Sequence, residues 1–171
     1  ARGGQKLVVS GCLAQRYVHE LEEELPEVDL FIGTGEYRRI ADLVSADDAP
    51  RVAVERPCYV SDHEAPRVLT TPGYTSYVRI AEGCSQRCTF CIIPQIRGKA
   101  RSRPIESIVT ETRELGAAGV KEINLIAQDL THYGDDLKDA NVGLEQLLKE
   151  LVKIEDIHWI RLLYCYPHNF N

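Results

Sequence analysis

The sequence contains no methionine, one tryptophan and three phenylalanines. No apolar run approaches the roughly 18 to 20 residues that a membrane span needs. The opening "ARGGQKLVVSG" lacks the long apolar stretch of a secretory signal. These absences set aside a membrane-spanning or secreted protein and lead to the expectation of a cytoplasmic one, without a membrane partner. An excess of positive charge is missing too. The formal net charge is −6, which argues against a general nucleic-acid coat, because such a surface needs a positive field over much of its area. There is no internal repeat and no low-complexity tract. The lack of methionine, with a strand-like segment starting within a few residues of Ala1, leads to the expectation that the chain is a piece of something longer.

What is present reads as globular: 44% of the residues are hydrophobic, ordinary for a chain with a real core. Short apolar runs predict buried strands in "KLVVSG", "VDLFIG", "SYVRIAEG", "KEINLIAQD" and "HWIRLLYCYP". Helical spacing lies between several of them. Val18, Leu21 and Leu25 share one face of a first helix that Pro26 ends, and Tyr37, Ile40, Ala41 and Val44 are expected to line a second. Pro104 suits the start of a third, carried by Ile105, Ile108, Val109, Thr112 and Leu115 and closed by Gly116 and Gly119. Leu144, Leu147, Leu148, Leu151 and Val152 make a fourth stripe. Such stripes are core far more often than cofactor contacts.

Alternating strands and helices with strands apolar on both faces imply parallel sheet built from βαβ units, an α/β fold. The stretch 46–74 breaks the rhythm with "ADDAP", "RPCYVSDHEAPR" and "TTPG", and is expected to connect two domains, 1–45 and 75–171.

Three of the six cysteines fall within "EGCSQRCTFCIIP", at Cys84, Cys88 and Cys91. They follow a strand, so they sit on the loop leaving its carboxyl end, where parallel sheets place ligands. Structural zinc wants four ligands, and neither a second Cys pair nor an HxxxH completes the set nearby; His63 is remote. A disulfide leaves one thiol over and is the weaker reading in a reducing compartment. An iron–sulfur cluster fits better, because thiolates are its usual ligands and three of them leave one iron open. Directly downstream, "IRGKARSR" holds four positive charges and no negative one. The commoner meaning of such a run is a solvated loop; a substrate or anion contact through Arg97 and Arg101 is the alternative.

CxxxCxxC with an aromatic residue before the last cysteine, after the first strand of a βα series, is similar to the radical S-adenosylmethionine signature. That resemblance implies a [4Fe-4S] cluster on Cys84, Cys88 and Cys91 with S-adenosyl-L-methionine on the open iron, cleaved by one electron to a 5′-deoxyadenosyl radical. The longer "GCSQRCTFCIIPQIRGKARSRPIESIV" and "SGCLAQRY" around Cys12 resemble the methylthiotransferase family. The family carries a second, auxiliary [4Fe-4S] cluster, and Cys12 matches the last of its three ligands; without the second motif, a lone buried cysteine would be the better reading of Cys12. The fold implied is the C-terminal part of a flavodoxin-like parallel-sheet domain over 1–45, then the first βα units of a radical SAM partial (β/α) barrel over 75–171. The rest of the barrel and a small C-terminal β-domain are absent, so the segment alone is not expected to turn over.

"LIAQDLTHYG" and "WIRLLYCYPHNF" resemble the branch of the family that methylthiolates an aspartate of a small-subunit ribosomal protein. The resemblance implies transfer of a methylthio group to the aspartate β-carbon, a low-potential electron donor as partner, and no direct nucleic-acid substrate. A tRNA adenosine methylthiotransferase shares the same clusters, and a structural metal-binding module is the non-enzyme alternative. Gln128 and Asp129, ending the second barrel strand, are candidates to receive the methionine amino group of S-adenosylmethionine; a cap for the following loop is the alternative for Asp129. Tyr164 and Tyr166 are expected to face away from Cys165, which reads as packing. Cys58 matches no ligand motif.

Overall fold

Leu30, Phe31 and Ile32 are each at most 2% exposed, so consecutive side chains, which point to opposite faces of a strand, are covered on both. That is what the apolar run "LFI" demands, and the computed structural model, which describes residues 5–70, 72–138 and 142–167, supplies the two covers. Strands β1 (Val8–Ser10), β2 (Leu30–Ile32) and β3 (Val52–Ala53) form a parallel sheet in that order. Helix α1 (Cys12–Glu24) places Val18 and Leu21 against Phe31 on one face. A 3-10 turn at Tyr37–Arg39 leads into α2 (Ile40–Ser45), which brings Leu43 onto Leu30 and Ile32 on the other. A last short helix, α3 (Ile93–Ile96), packs against α1 in the same unit. The Thr34 hydroxyl, 6% exposed, donates to the Ile96 carbonyl at 2.6 Å and holds it there.

The second unit begins with β4 (Thr75–Arg79). Strand β5 (Ala81–Glu82) pairs antiparallel with β6 (Arg101–Ser102), and α4 (Ile105–Ala117) follows. Then come β7 (Glu122–Ile126), a 3-10 turn at Leu130–His132, α5 (Leu144–Leu151) and β8 (Trp159–Leu162). The sheet order is β4, β7, β8, all parallel, with Thr75 opposite Glu122 and Glu122 opposite Trp159. Its core joins Val78 and Ile80 of the first strand region to Ile108 of α4, Ile123 and Leu125 of β7, and Leu147 and Leu151 of α5, all fully buried. Full burial of one such side chain stabilises by about 1.5–3 kcal/mol.

The chain passes between the units more than once. Residues 1–59 and 85–99 form the first, and 60–84 with 100–171 form the second. Among the described residues no helix is long and apolar enough to cross a membrane.

The parallel α/β character read from the sequence is the one observed. Three details differ. Within 46–74, Val52 and Ala53 are not connector but β3, paired to Phe31 and Ile32. In α2 the buried residue is Leu43, while Ile40 and Val44 stand 36% exposed and Ala41 is exposed. The 3-10 turn that precedes α2 advances by a different angle per residue and rotates the stripe. Val152 lies just past α5 and is 70% exposed. Thr71 and residues 168–170, the end of "WIRLLYCYPHNF", lie outside the described residues.

Candidate functional site

Cysteines need an irregular backbone to turn several thiols inward, and the sequence supplies one after Glu82. Gly83 takes φ +83°, a left-handed conformation that glycine adopts at no steric cost. No regular element follows until Ile93. Cys84 is half-buried, Cys88 and Cys91 are exposed, and none of the six cysteines is joined in a disulfide. The Cys91 N–H donates to the Cys88 carbonyl at 3.1 Å, a turn that sets these two. Phe90, the aromatic residue before the last cysteine, is 95% exposed. Cys84 belongs to the second unit, Cys88 and Cys91 to the first. Among the described residues no three cysteine, histidine or acidic side chains stand close enough to hold a metal ion. The suitability of the trio for a cluster therefore lies in its donor chemistry: three uncrosslinked thiols on one irregular segment.

Cys12 is the first residue of α1, half-buried, directly after Gly11 at φ +107°. The Gly11 N–H donates to the Ile32 carbonyl at 3.0 Å, fixing the helix start to β2. Cys58 is exposed. Cys165 packs against the second unit's core, and burial, reinforced by Asp129, pushes its thiol pKa up, away from a ligating thiolate.

The carboxyl ends of β5 and β7 meet through their side chains. Gln128 Nε2 donates to Glu82 Oε1 at 2.8 Å, and Arg79 bridges the other Glu82 oxygen at 3.1 Å. Glu82 is only 5% exposed. Gln128 Oε1 is buried and meets no donor. Asp129 caps the following 3-10 turn, accepting from the Thr131 N–H at 3.0 Å and the Thr131 hydroxyl at 2.6 Å. The loop-cap role weighed for Asp129 is therefore present.

Arg97 closes α3 through its N–H to the Ile93 carbonyl at 2.8 Å, and Arg101 stands opposite Glu82 in the β5–β6 pair. Both are half-buried and engaged within the protein. The fourth cation of the run is not on the surface at all. Arg103 is 3% exposed; it donates to the Arg79 carbonyl at 2.7 Å, to Glu111 at 2.6 Å and to the Ser107 hydroxyl at 2.9 Å. Glu111 also pairs with Arg67, which reaches Ser76 Oγ at 2.6 Å. Arg67, Arg79, Arg103 and Glu111 border a cavity of ≈ 310 Å³ that Asp62 and Tyr77 also line, and that is lined by none of the cysteines, Gln128 or Asp129. Sequence reasoning missed Glu82, Arg103 and Glu111. Only "EGC", with an acid buried two residues before the first thiol, carried a signal.

A parallel sheet whose first strand leads into a CxxxCxxC loop without a disulfide defines a class, and comparison with known proteins agrees with it. The pattern of the Radical SAM superfamily matches residues 78–166, and the chain belongs to that superfamily. It is 52% identical over 164 residues to the ribosomal protein uS12 methylthiotransferase RimO of Pelobacter propionicus, which covers 94% of this chain and 36% of the relative. Its identity to the RimO of Syntrophotalea carbinolica is 53% over 164 residues, with the same coverage. With the RimO of Myxococcus xanthus it shares 52% over 164 residues, 96% of this chain and 34% of the relative. The chain thus spans about a third of the length of these relatives. Among solved structures, the radical S-adenosylmethionine methyltransferase TsrM of Kitasatospora setae superposes with a TM-score of 0.64 at 18% identity, over 97% of this chain and 38% of that one. That likeness is one of fold.

Proposed function

We propose that the chain is part of a radical S-adenosylmethionine methylthiotransferase that adds a methylthio group to the β-carbon of an aspartate in ribosomal protein uS12. The observation that carries this reading is 52% identity over 94% of the chain to relatives bearing that name. In it, Cys84, Cys88 and Cys91 each hold one iron of a [4Fe-4S] cluster and leave the fourth for S-adenosyl-L-methionine, as thiolate donors suit. Cys12 supplies one ligand of an auxiliary [4Fe-4S] cluster. When bound, these groups supply the one-electron cleavage and the sulfur transfer, the hard chemistry that side chains lack.

The chain's own part is placement. Gln128 Oε1, buried without a donor, carries a cost of about 1–3 kcal/mol that the ammonium of S-adenosylmethionine relieves. Asp129 adds negative charge beside it, within what its capping of Thr131 allows. Arg97 and Arg101 contact the ribosomal substrate or a cofactor carboxylate. A low-potential electron donor and a cytoplasmic setting complete the proposal.

The test uses the full-length protein. Ribosomal protein uS12 from cells that carry it should weigh one methylthio group more than uS12 from cells that do not, and Cys84→Ala should abolish the gain. Unmodified uS12 beside a methylthio-adenosine in digested tRNA would overturn this in favour of the tRNA enzyme. Anaerobic protein that holds zinc and yields no 5′-deoxyadenosine would leave a metal-binding module.

A further inference from the structure

The segment that binds the neck of the cysteine loop lies remote from it in sequence. The chain leaves the second unit after Cys84 and re-enters it at Ala100. Where it returns, β6 pairs with β5: Ser102 lies opposite Ala81 and Arg101 opposite Glu82, two residues before Cys84. Two strands of two residues each are too short to hold such a junction by themselves. Beside the Arg103 N–H, which donates to the Ile80 carbonyl at 2.8 Å, the turn that follows β7 supplies further hydrogen bonds to Ser102 and Arg103. The Ser102 N–H donates to the Asp136 carboxylate, at 2.9 Å to one oxygen and 3.1 Å to the other. The Gly134 N–H donates to Ser102 Oγ at 2.9 Å. The Tyr133 hydroxyl, buried at 2% exposure, donates to the Arg103 carbonyl at 2.7 Å.

Gly134 makes this geometry available. It takes φ +95°, and a Cβ there would meet the Val142 carbonyl carbon at 2.9 Å, which an L side chain does not tolerate. The turn belongs to "LIAQDLTHYG" and its continuation, a stretch whose sequence resemblance alone gave it no physical task.

We propose that Asp136, supported by Tyr133 and Gly134, is a positioning element for the cysteine loop: it locks the loop's return strand and so fixes where Cys84 is presented. The proposal rests on the cluster reading above. Asp136 acts through Ser102 and β5.

The experiment has two arms on the full-length protein. In the iron-free form, alkylation of each cysteine by iodoacetamide is followed by mass spectrometry. Asp136→Ala should speed alkylation of half-buried Cys84 by about tenfold, the effect of losing a hydrogen bond to a charged group on local opening. Asp136→Asn, which keeps an acceptor oxygen, should stay near the parent, and so should Asp135→Ala, which loses a contact with His132. In the iron-loaded form, Asp136→Ala should release iron to a chelator faster by a similar factor. An unchanged Cys84 rate, or a faster one with unchanged iron release, overturns the proposal. Protein that never loads iron would overturn the cluster reading instead, and the iron-free alkylation rates would still decide the clamp.

Discussion

Gln128 donates its amide N–H to Glu82 across 2.8 Å, tying the residue two before the first loop cysteine to the segment beyond β7. Because Glu82 is 5% exposed, its carboxylate relies on protein donors rather than water. Gln128→Leu removes one of them and should destabilise the protein by about 1.5–3 kcal/mol, the range for a hydrogen bond to a charged group. Gln128→Glu should cost more, since it sets a second carboxylate against the first. Urea unfolding of both variants tests the order, and a milder loss in the glutamate variant would contradict it.

Arg103 and Glu111 form a buried ion pair at 2.6 Å, with 3% and 12% of their side chains exposed. Removing one partner leaves a charge in a poorly solvated site, so Glu111→Ala should cost about 3–5 kcal/mol. Replacing both, as Arg103→Met with Glu111→Leu, should cost less than that single change, because the charge left without Glu111 is then only that of Arg67, 35% exposed and open to water, and not the buried Arg103. A double-mutant cycle read by denaturant midpoints measures the difference. Additive losses would show that the pair does not act as a unit.

Burial raises the pKa of Tyr133; Arg103 opposes the rise, and Glu106 and Asp136 reinforce it. The folded protein therefore holds the neutral phenol more firmly than the unfolded chain, whose tyrosines ionise near pH 10. The stabilisation from this group is complete below about pH 10 and is lost as pH rises from there toward the folded value. Tyr133→Phe should flatten that alkaline slope in denaturant midpoints, while costing about 1 kcal/mol at neutral pH through the lost bond to the Arg103 carbonyl. An alkaline slope that stays the same in the variant would count against the burial of this phenol.

Much of the frame was legible because it depends on local pattern. "LFI" could be buried on both faces only in a covered parallel sheet, and Ile108, Thr112 and Leu115 fell on one helical face as their spacing requires. The cysteine loop was legible for a similar reason, since three thiols this close leave few chemical uses. Strand β3 was hidden because two residues inside a proline-rich stretch carry no period; its pairing with β2 is a tertiary fact. The burial of Arg103 was hidden for a deeper reason. In "IRGKARSR" four cations look alike, and partners remote in the sequence, Glu111 eight residues on and the Arg79 carbonyl far upstream, separate the one that goes inside. The division of labour between Gln128 and Asp129 was likewise out of reach, because it depends on Glu82 and Thr131 being their partners.

The neck of the cysteine loop has a consequence for the newborn polypeptide. A ribosome emits its product from the amino end, so all three thiols reach solution well before Tyr133, Gly134 and Asp136 do. Until those residues emerge, the junction at Ser102 has its strand pairing but lacks these bonds. Throughout that interval the thiols stand without this fastening, and on the proposed cluster reading iron loading would compete with their oxidation, a race that the order of synthesis itself imposes.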